Sequence, residues 1–339
     1  MINIDNLGVI LEKTDLPFEN QAVLNPTCIE KDGITHMFYR AVRHQNYSSI
    51  GYCQLKENKV IERLDRPFIE PEYHFERHGT EDPRIVFLDG IYYLFYTAYD
   101  GKDARAAYAT STNLIHFQKQ GLVFPTIKYK EAVELFKECG LPSRYFWYET
   151  HYEQTIGPDV LLWEKDTFIF PKKFDGKFLL VHRVMPGIQT IVFNDFAELT
   201  IEFWKKYLHN INNNILMNPE FWFENRKIGG GCVPLQTKDG WLFIYHGVED
   251  RKQDRIYHAA AALMDLKNPT KIIGRLSEPL FSPTDKLEKE GSVPNVVFPT
   301  SAIIKNNTVY VYYGAADSRI MAKAINLNEL LGKLKNNPV

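Results

Sequence analysis

The residues best suited to chemistry form a short charged cluster at Gly79–Arg84, with the sequence GTEDPR. Two carboxylates, Glu81 and Asp82, stand close to the guanidinium of the last residue. Pro83 fixes its own φ and excludes Asp82 from the right-handed helical region. The apolar run Ile85–Leu88 follows directly, so the cluster lies at the mouth of a buried strand, where charges are paired or used in function. A purely structural Asp–Arg pair is the alternative.

The elements that must position this cluster repeat along the chain. Five times a turn signal precedes an aromatic run typical of a β-strand: Asp32-Gly33 before Ile34–Ala41, Asp89-Gly90 before Ile91–Ala98, Asp175-Gly176 before Lys177–Val184, Asp239-Gly240 before Trp241–Val248, and Asn306-Asn307 before Thr308–Ala315. These residue pairs tolerate the positive φ that tight hairpin turns need. A period of roughly 60 residues with several strands per unit indicates propeller blades. The sequence therefore predicts an all-β, five-bladed β-propeller as a single domain over residues 1–339. A β-sandwich with unrelated hairpins is the alternative.

One position of the repeat carries a ring with a polar tip in every unit. Six residues past the second turn residue stand Tyr39, Tyr96, His182, His246 and Tyr313. Equivalent positions in equivalent strands point the same way. We expect these rings and the residues after them, which include Arg40 and Arg183, to face a central channel.

Other polar residues are expected to converge on that channel. They are Asp82, Arg84, Arg105, Lys165, Asp166, Arg183, Arg226, Lys227, Tyr257 and Asp317. A few carboxylates among many cations suit a sugar together with an anion, because the guanidinium fork matches phosphate oxygens.

Composition and motifs exclude several other classes. The formal net charge of -2 gives no basic surface for nucleic acid. No apolar run approaches a membrane span, and the N-terminus lacks the pattern of a secretion signal. Four scattered cysteines predict free thiols in a reducing compartment, so a cytoplasmic protein is expected. Neither a nucleotide fingerprint nor zinc-ligand spacing occurs, and no metal or organic cofactor is implied.

An insertion from about residue 127 to 157 interrupts the repeats. Residues 128–139 place apolar side chains at helical spacing, which predicts a short helix stopped by Gly140 and Pro142. The tail that follows is rich in aromatic residues. Three interpretations of that tail stay open: a contact in a homo-oligomer, a lid over the channel, or packing against a blade. Residues 202–208 predict a second short helix.

The sequence resembles glycoside hydrolase family 130, which comprises β-mannoside phosphorylases and related β-mannosidases. The matching stretches follow the family order: Gly79–Arg84, Tyr96–Gly101, Phe170–Lys173, Lys227–Gly231, Tyr245–Val248, Pro294–Pro299 and Tyr313–Asp317. The resemblance implies a five-bladed propeller, in agreement with the repeat count. It also implies β-mannoside cleavage with inversion, in which inorganic phosphate is the nucleophile and co-substrate and α-mannose 1-phosphate is the product.

The resemblance assigns roles to single residues. Asp82 matches the general acid, which is thought to pass its proton through a mannose hydroxyl. The phosphate side is expected at Lys165, His182, Lys227 and Tyr257, with Arg183 and Arg226 as neighbours that can substitute. Asp317 matches a sugar-binding aspartate of the family. From their expected place in the channel, further residues are predicted to bind the sugar: Arg40, Glu81, Arg84, Tyr99, Asp100, Arg105, Asp166 and His246. Phosphate is already anionic, so a phosphorylase needs cations rather than a second carboxylate.

Two alternatives to phosphorolysis stay open. An inverting β-mannosidase needs a carboxylate base on the opposite face of the sugar, for which Glu220 or Glu224 is available. A carbohydrate-binding propeller without catalysis is the other, and the intact Asp82 motif argues against it. The sequence departs from the family pattern at Gly229–Gly231, where the family commonly has Gly-Ala-Gly, and in the insertion. The linkage and the sugar on the leaving side therefore stay open.

Overall fold

The computed structural model describes residues 2–252 and 254–339, and β-strands are the main regular element of this structure. The strands are β1 (Ile4–Leu11), β2 (Ala22–Lys31), β3 (Ile34–Arg43), β4 (Tyr47–Lys56), β5 (Lys59–Arg63), β6 (Gly79–Leu88), β7 (Ile91–Tyr99), β8 (Ala104–Ser111), β9 (Gln118–Leu122), β10 (Lys165–Ile169), β11 (Phe178–Arg183), β12 (Ile188–Phe193), β13 (Ile215–Met217), β14 (Lys227–Gly230), β15 (Leu235–Gln236), β16 (Trp241–Asp250), β17 (Arg255–Met264), β18 (Ile272–Arg275), β19 (Val297–Lys305), β20 (Thr308–Ala315) and β21 (Arg319–Asn326). The helices are α1 (Tyr129–Phe136), α2 (Arg144–Ile156), α3 (Ile201–His209), α4 (Lys286–Lys289) and α5 (Leu327–Lys335).

The strands form antiparallel units of four. The largest sheet consists of β2–β3–β4–β5 and β6–β7–β8–β9, which meet at one parallel pair, Ser48 with Gly79. The other sheets have the orders β10–β11–β12–β13, β14–β16–β17–β18 and β19–β20–β21–β1, and β15 pairs with β16. The N-terminal strand therefore completes the unit built by the C-terminal strands.

The hairpin turns explain why the repeat was visible in the sequence. Each predicted aromatic run is the second strand of a unit. In the first unit, Lys31 pairs with Ile34 across a two-residue turn, and both turn residues, Asp32 and Gly33, have positive φ (52° and 77°). The fourth unit differs, because Gln236 pairs with Trp241 and four residues form the loop. Counting from the turn consequently gives a shifted register in that unit.

The expectation that the five rings face a channel is wrong for Tyr39, Tyr96, His182 and Tyr313, whose polar atoms bond to buried glutamates. Tyrosine hydroxyls instead donate to buried glutamates: Tyr39 to Glu19 (2.8 Å), Tyr96 to Glu76 (2.5 Å), Tyr245 to Glu224 (2.7 Å) and Tyr313 to Glu288 (2.7 Å). Each glutamate also pairs with a cation, namely Arg63, Lys119, Arg275 and Lys323. In the fourth unit the tyrosine equivalent to Tyr39 is thus Tyr245, and His246 occupies the position of Arg40. The paired glutamates and cations are structural, because each buried charge is compensated.

The insertion contains two helices. The predicted helix is α1, and the aromatic tail forms α2, which the sequence did not reveal as a helix. Tyr145, Tyr148 and Tyr152 of α2 are buried in the main core, whereas Trp147 is 52% exposed. The packing interpretation of the tail is therefore correct for these three tyrosines. The second predicted helix is α3, which begins with the Thr200 hydroxyl accepting from the Phe203 N–H.

Two further predictions can be compared with the described residues. The four cysteines have free thiols, three of them buried. Within residues 2–252 and 254–339, no helix combines the length and the apolar character that crossing a membrane requires.

Candidate active site

The first strands of three neighbouring units carry the same irregularity. In β2, β6 and β10 the pairing register shifts by one residue, and Asn25, Asp82 and Asp166 at these β-bulges have positive φ of 48°, 51° and 59°. A bulge takes its extra residue out of the hydrogen-bond ladder and re-aims the side chain. The proline after Asp82 supports this, since it has no N–H to donate to the ladder. The repeated bulge therefore brings three polar side chains to one place.

Residues of the first unit hold the carboxyl group of Asp82. The Asn25 side-chain amide donates to Asp82 Oδ1 at 2.7 Å, and Arg40 Nη1 lies 3.6 Å from the same oxygen. Arg40 also donates to Glu81 Oε1 at 2.7 Å. Gly314 lets Asn25 approach, because a Cβ at that position would lie 2.2 Å from Asn25 Oδ1. The Asp82 side chain is thus fixed in position, with one oxygen engaged.

Arg84 supports the same segment from behind. Its guanidinium is buried and donates to the backbone oxygens of Asp82 (3.1 Å), Pro83 (3.0 Å) and Gly231 (2.6 Å). Burial lowers the pKa of Arg84, and Asp166, 3.9 Å away, is the strongest opposing influence. Arg84 therefore fixes the backbone that presents Asp82 and does not line the pocket in front of it.

A pocket of about 350 Å³ opens in front of Asp82. We call it the Asp82 pocket, and it is lined by Asn25, Arg40, Asp82, Lys165, Asp166, Arg183, Lys227, His246, Arg255, Tyr257, Val293, Val296, Phe298 and Asp317. Five of these side chains are cationic and three carry carboxylates. The excess of positive charge makes the pocket suited to an anion.

The cations of this pocket differ in their pairing. Arg183 donates to Asp166 at 2.5 Å, and Lys165 lies 3.3 Å from Glu81. Lys227 has no carboxylate within 4.0 Å among the described residues, and its ammonium lies 5.7 Å from the ring centre of Tyr257. Burial lowers the pKa of Lys227 well below its usual range, and Arg183 adds to the effect. The protonated form of Lys227 therefore has no carboxylate counter-ion among the described residues.

His246 faces the same pocket as a neutral ring. Both ring nitrogens are buried and lack a hydrogen-bond partner among the described residues. Burial lowers the pKa of His246 well below its usual range, with Arg183 and Lys227 adding to the effect, so the imidazole is neutral near pH 7. Gly229 makes room for it, since a Cβ there would lie 2.4 Å from His246 Cε1 and 2.5 Å from Asp166 Oδ2. The ring therefore has one donor and one acceptor available to a ligand.

A second pocket of about 330 Å³ adjoins the first. We call it the Trp163 pocket, and it is lined by Gln21, Ala22, Leu24, Arg40, Val42, Asn46, Glu81, Tyr99, Trp163, Lys165, Ser292, Val293 and Asp317. Arg40, Lys165, Val293 and Asp317 line both pockets. Burial, with a smaller contribution from Asp82, raises the pKa of Asp317 to about 6, although Arg40 opposes the shift. Asp317 thus lies in the wall that the two adjoining pockets share.

Several predicted site residues lie outside both pockets. His182 is buried between Glu164 Oε1 (3.0 Å) and the Tyr207 hydroxyl (2.6 Å). Arg226 pairs with Asp250 at 2.5 Å and lines a smaller pocket beside Trp147. Asp100 and Arg105 lie 3.6 Å apart, and Arg105 is buried.

The proposed hydrolytic bases also lie outside both pockets. Glu224 is the buried partner of Tyr245 and Arg275. Glu220 is largely exposed and lies 3.3 Å from Arg275.

The remaining predicted residues come together as expected, and the structure adds others. Asp82, Lys165, Arg183, Lys227, Tyr257, Arg40, Glu81, Tyr99, Asp166, His246 and Asp317 line one pocket or both. The sequence reasoning missed Asn25, Trp163, Arg255 and Phe298. Asn25-Pro26 repeats the pattern of Asp82-Pro83, so aligning the repeats would have found it. Arg255 carries no comparable signal. Among the described residues, no three His, Cys, Asp or Glu side chains are grouped so as to hold a metal ion.

Comparisons with known proteins identify the family. The model of glycoside hydrolase family 130, described as beta-1,4-mannooligosaccharide phosphorylase, matches residues 9–336. A 1,2-beta-oligomannan phosphorylase from Thermoanaerobacter sp. is 34% identical over 97% of this chain and 99% of its own length. A beta-1,2-mannobiose phosphorylase from the same organism is 31% identical over 94% of this chain and 95% of its own length.

A solved structure agrees with this result at the level of the fold. It is the beta-1,2-mannobiose phosphorylase from Listeria innocua in complex with beta-1,2-mannobiose, and it has a TM-score of 0.74 at 21% identity. The structural similarity covers 99% of this chain and 100% of the chain of the Listeria innocua enzyme. The chain belongs to glycoside hydrolase family 130, and it is an enzyme.

Proposed function

We propose that this protein is an inverting β-mannoside phosphorylase, which cleaves β-mannosidic bonds of manno-oligosaccharides with inorganic phosphate and releases α-mannose 1-phosphate. The observation that carries the proposal is the uncompensated Lys227 beside Arg183 in the Asp82 pocket. A water-using enzyme needs a carboxylate base at this place, whereas phosphate needs only cations. The full-length relatives with phosphorylase names support the same reaction.

Asp82 is the general acid in this proposal. Its carboxyl group gives a proton to the oxygen of the departing sugar, directly or through a mannose hydroxyl. Asn25 and Arg40 fix the position of the carboxyl, and Arg84 fixes its backbone. A positioned acid of this kind typically contributes a factor of about 10² to 10⁴ in rate.

Phosphate binds between Arg183, Lys227 and Tyr257, with Lys165 nearby. The bound anion favours the protonated ammonium of Lys227, which burial otherwise disfavours. The neutral His246 donates to, or accepts from, an oxygen of phosphate or sugar without adding charge. Asp166 holds Arg183 in place through the contact of 2.5 Å. Arg226, which pairs with Asp250, has a supporting role at the edge of this group.

We propose a β-1,2 linkage for the substrate. The two full-length relatives carry this linkage in their names, whereas the description of the whole family refers to β-1,4 linkages. Incubation with β-1,2- and β-1,4-mannobiose, each with and without phosphate, tests the proposal. Mannose 1-phosphate should form only with phosphate, and faster from the β-1,2 disaccharide. Release of free mannose alone, at a rate independent of phosphate, would contradict phosphorolysis.

We further propose that the five units are the blades of a five-bladed β-propeller in one domain over residues 1–339. The five antiparallel units and the pairing of β1 with β21 support it. An experimental structure with five blades around a channel is the expected outcome, and a two-layer sandwich would contradict it.

Two properties of the whole protein stay predictions. A cytoplasmic location is supported by the free thiols, and cell fractionation tests it. A homo-oligomer is supported by the exposed Trp147, and light scattering in solution tests it.

A further inference from the structure

The two pockets divide the substrate between them. In an inverting displacement the nucleophile and the leaving group lie on opposite faces of the sugar. Lys227 and Arg183, the cations suited to phosphate, line only the Asp82 pocket. The departing sugar therefore extends away from them, past Asp317 and Arg40 into the Trp163 pocket.

The charge of the Trp163 pocket fits a neutral ligand. Its two cations, Arg40 and Lys165, both contact the carboxylate of Glu81, at 2.7 and 3.3 Å. Hydroxyl groups of a sugar can bond to such a balanced set, whereas a phosphate gains no unpaired cation there.

Trp163 is the largest aromatic side chain among the residues that line this pocket, which also include Tyr99. Its indole ring is partly exposed, and the ammonium of Lys165 lies 5.6 Å from the ring centre. The indole nitrogen is itself buried and has no hydrogen-bond partner among residues 2–252 and 254–339. The exposed part of the ring therefore offers an apolar face to the C–H groups of a sugar.

The insertion holds Trp163 from behind. The ring of Tyr152 in α2 lies 4.8 Å from the ring of Trp163, and Tyr129 in α1 stacks on Tyr152 at 5.4 Å. Both tyrosines are buried, and Tyr129 is 1% exposed. The two helices of the insertion thus form a rigid aromatic support that ends at the pocket.

We propose that Trp163, positioned by the helices of the 127–157 insertion, determines which sugar is accepted on the leaving side. The inference rests on the proposed function and assigns the insertion a part in substrate selection. The ligand class is a mannosyl unit or short mannosyl chain with a free hydroxyl as acceptor.

Synthesis in the reverse direction tests this inference, because the two substrates then occupy different pockets. Mannose 1-phosphate fills the Asp82 pocket, and mannose fills the Trp163 pocket. Trp163→Ala should raise KM for mannose about tenfold and leave KM for mannose 1-phosphate nearly unchanged. Trp163→Phe keeps a ring without the N–H and should lie between the wild type and Trp163→Ala. Trp222→Ala is the matched control, since Trp222 is exposed, bonds to Glu278 and lines neither pocket.

The outcomes separate this inference from the proposed function. An unchanged KM for mannose in both Trp163 variants, or an equal rise of both KM values, would overturn the inference. If the wild-type enzyme makes no product from mannose 1-phosphate and mannose, the proposed function itself fails, and the inference fails with it. A rise confined to mannose supports the inference.

Discussion

The two adjoining pockets share four residues but differ in charge. The Asp82 pocket has five cations against three carboxylates, and the Trp163 pocket has two against two. In the first, Lys227 lacks an anionic partner among the described residues, while in the second both cations contact Glu81. The difference indicates that an anion is a reactant on one side and a neutral sugar on the other. It supports the proposed mechanism, in which Asp82 is the single catalytic carboxylate.

The largest loss is expected from Asp82→Asn, which disables the reaction that both pockets serve. We expect kcat to fall by a factor of about 10³ because the proton donor is removed. The Asn25 amide can still donate to the new side-chain oxygen, so the melting temperature should stay close to that of the wild type. Phosphorolysis rates and thermal unfolding measure the two effects. Activity within a factor of ten of the wild type would exclude Asp82 as the acid.

Lys227→Met should impair the use of phosphate without impairing the binding of the departing sugar. The charge that stabilises the attacking anion is lost, so kcat/KM for phosphate should fall about a hundredfold. In the reverse reaction, KM for mannose should change little, because the acceptor mannose is proposed to bind in the Trp163 pocket, which Lys227 does not line. Steady-state kinetics with each substrate varied in turn separates the two. An equal loss with both substrates would contradict the division between the pockets.

Gly229→Ala should disturb the same side by geometry instead of charge. The added Cβ would lie 2.4 Å from His246 and 2.5 Å from Asp166, so both must shift. Because Asp166 holds Arg183, activity should fall about tenfold, mainly through phosphate. Gly332→Ala is the matched control, since nothing lies within 4 Å of its Cβ and alanine favours the helix α5. Equal activity in both variants would contradict the close packing.

Asp317→Asn should have the smallest effect of the four variants, and the property that changes is the stability of the fold. The folded protein binds the Asp317 proton more tightly than the unfolded chain, because burial raises the pKa to about 6. Stability attributable to this group is present below its unfolded pKa and falls as pH rises towards 6. The variant avoids this loss. At pH 7 its free energy of unfolding should therefore exceed that of the wild type by roughly 1–2 kcal/mol, and near pH 4 the two free energies should be equal.

Denaturant unfolding at the two pH values measures this change. Asp265→Asn gives a control of opposite sign, since backbone N–H groups of Asn268 and Lys267 lower the pKa of Asp265. That variant should be less stable than the wild type at pH 7. An Asp317→Asn variant less stable than the wild type at pH 7 would contradict the burial of an ionised carboxyl.

Local signals made much of the fold predictable from the sequence. Turn pairs such as Asp32-Gly33 specify hairpins by their backbone preference, so five second strands were located correctly. The register of the fourth unit was not predictable, because its longer loop shifts Tyr245 into the position expected for His246. Helix α2 was missed since its aromatic residues obscure the helical period.

The residues of the site also differ in how far the sequence could predict them. Asp82, Lys227 and Arg183 could be found from motifs and repeat positions. Arg84 was recognised as part of the charged motif. The direction of its side chain could not be predicted, because it depends on the backbone oxygen of Gly231, which lies in another unit. Trp163 was missed, because its exposure depends on how Tyr152 of the insertion packs against it. Contacts between distant units are not encoded in any local pattern.

One measurement tests the central claim, that phosphate held opposite Asp82 is the nucleophile, most directly. It is a proton and phosphorus NMR time course of β-1,2-mannobiose with the wild-type enzyme at several phosphate concentrations. α-Mannose 1-phosphate and mannose should form in equal amounts from the first turnover, and the rate should fall to zero without phosphate. Free mannose formed without an equal amount of mannose 1-phosphate, or β-mannose 1-phosphate as the initial anomer, would contradict phosphate as the inverting nucleophile.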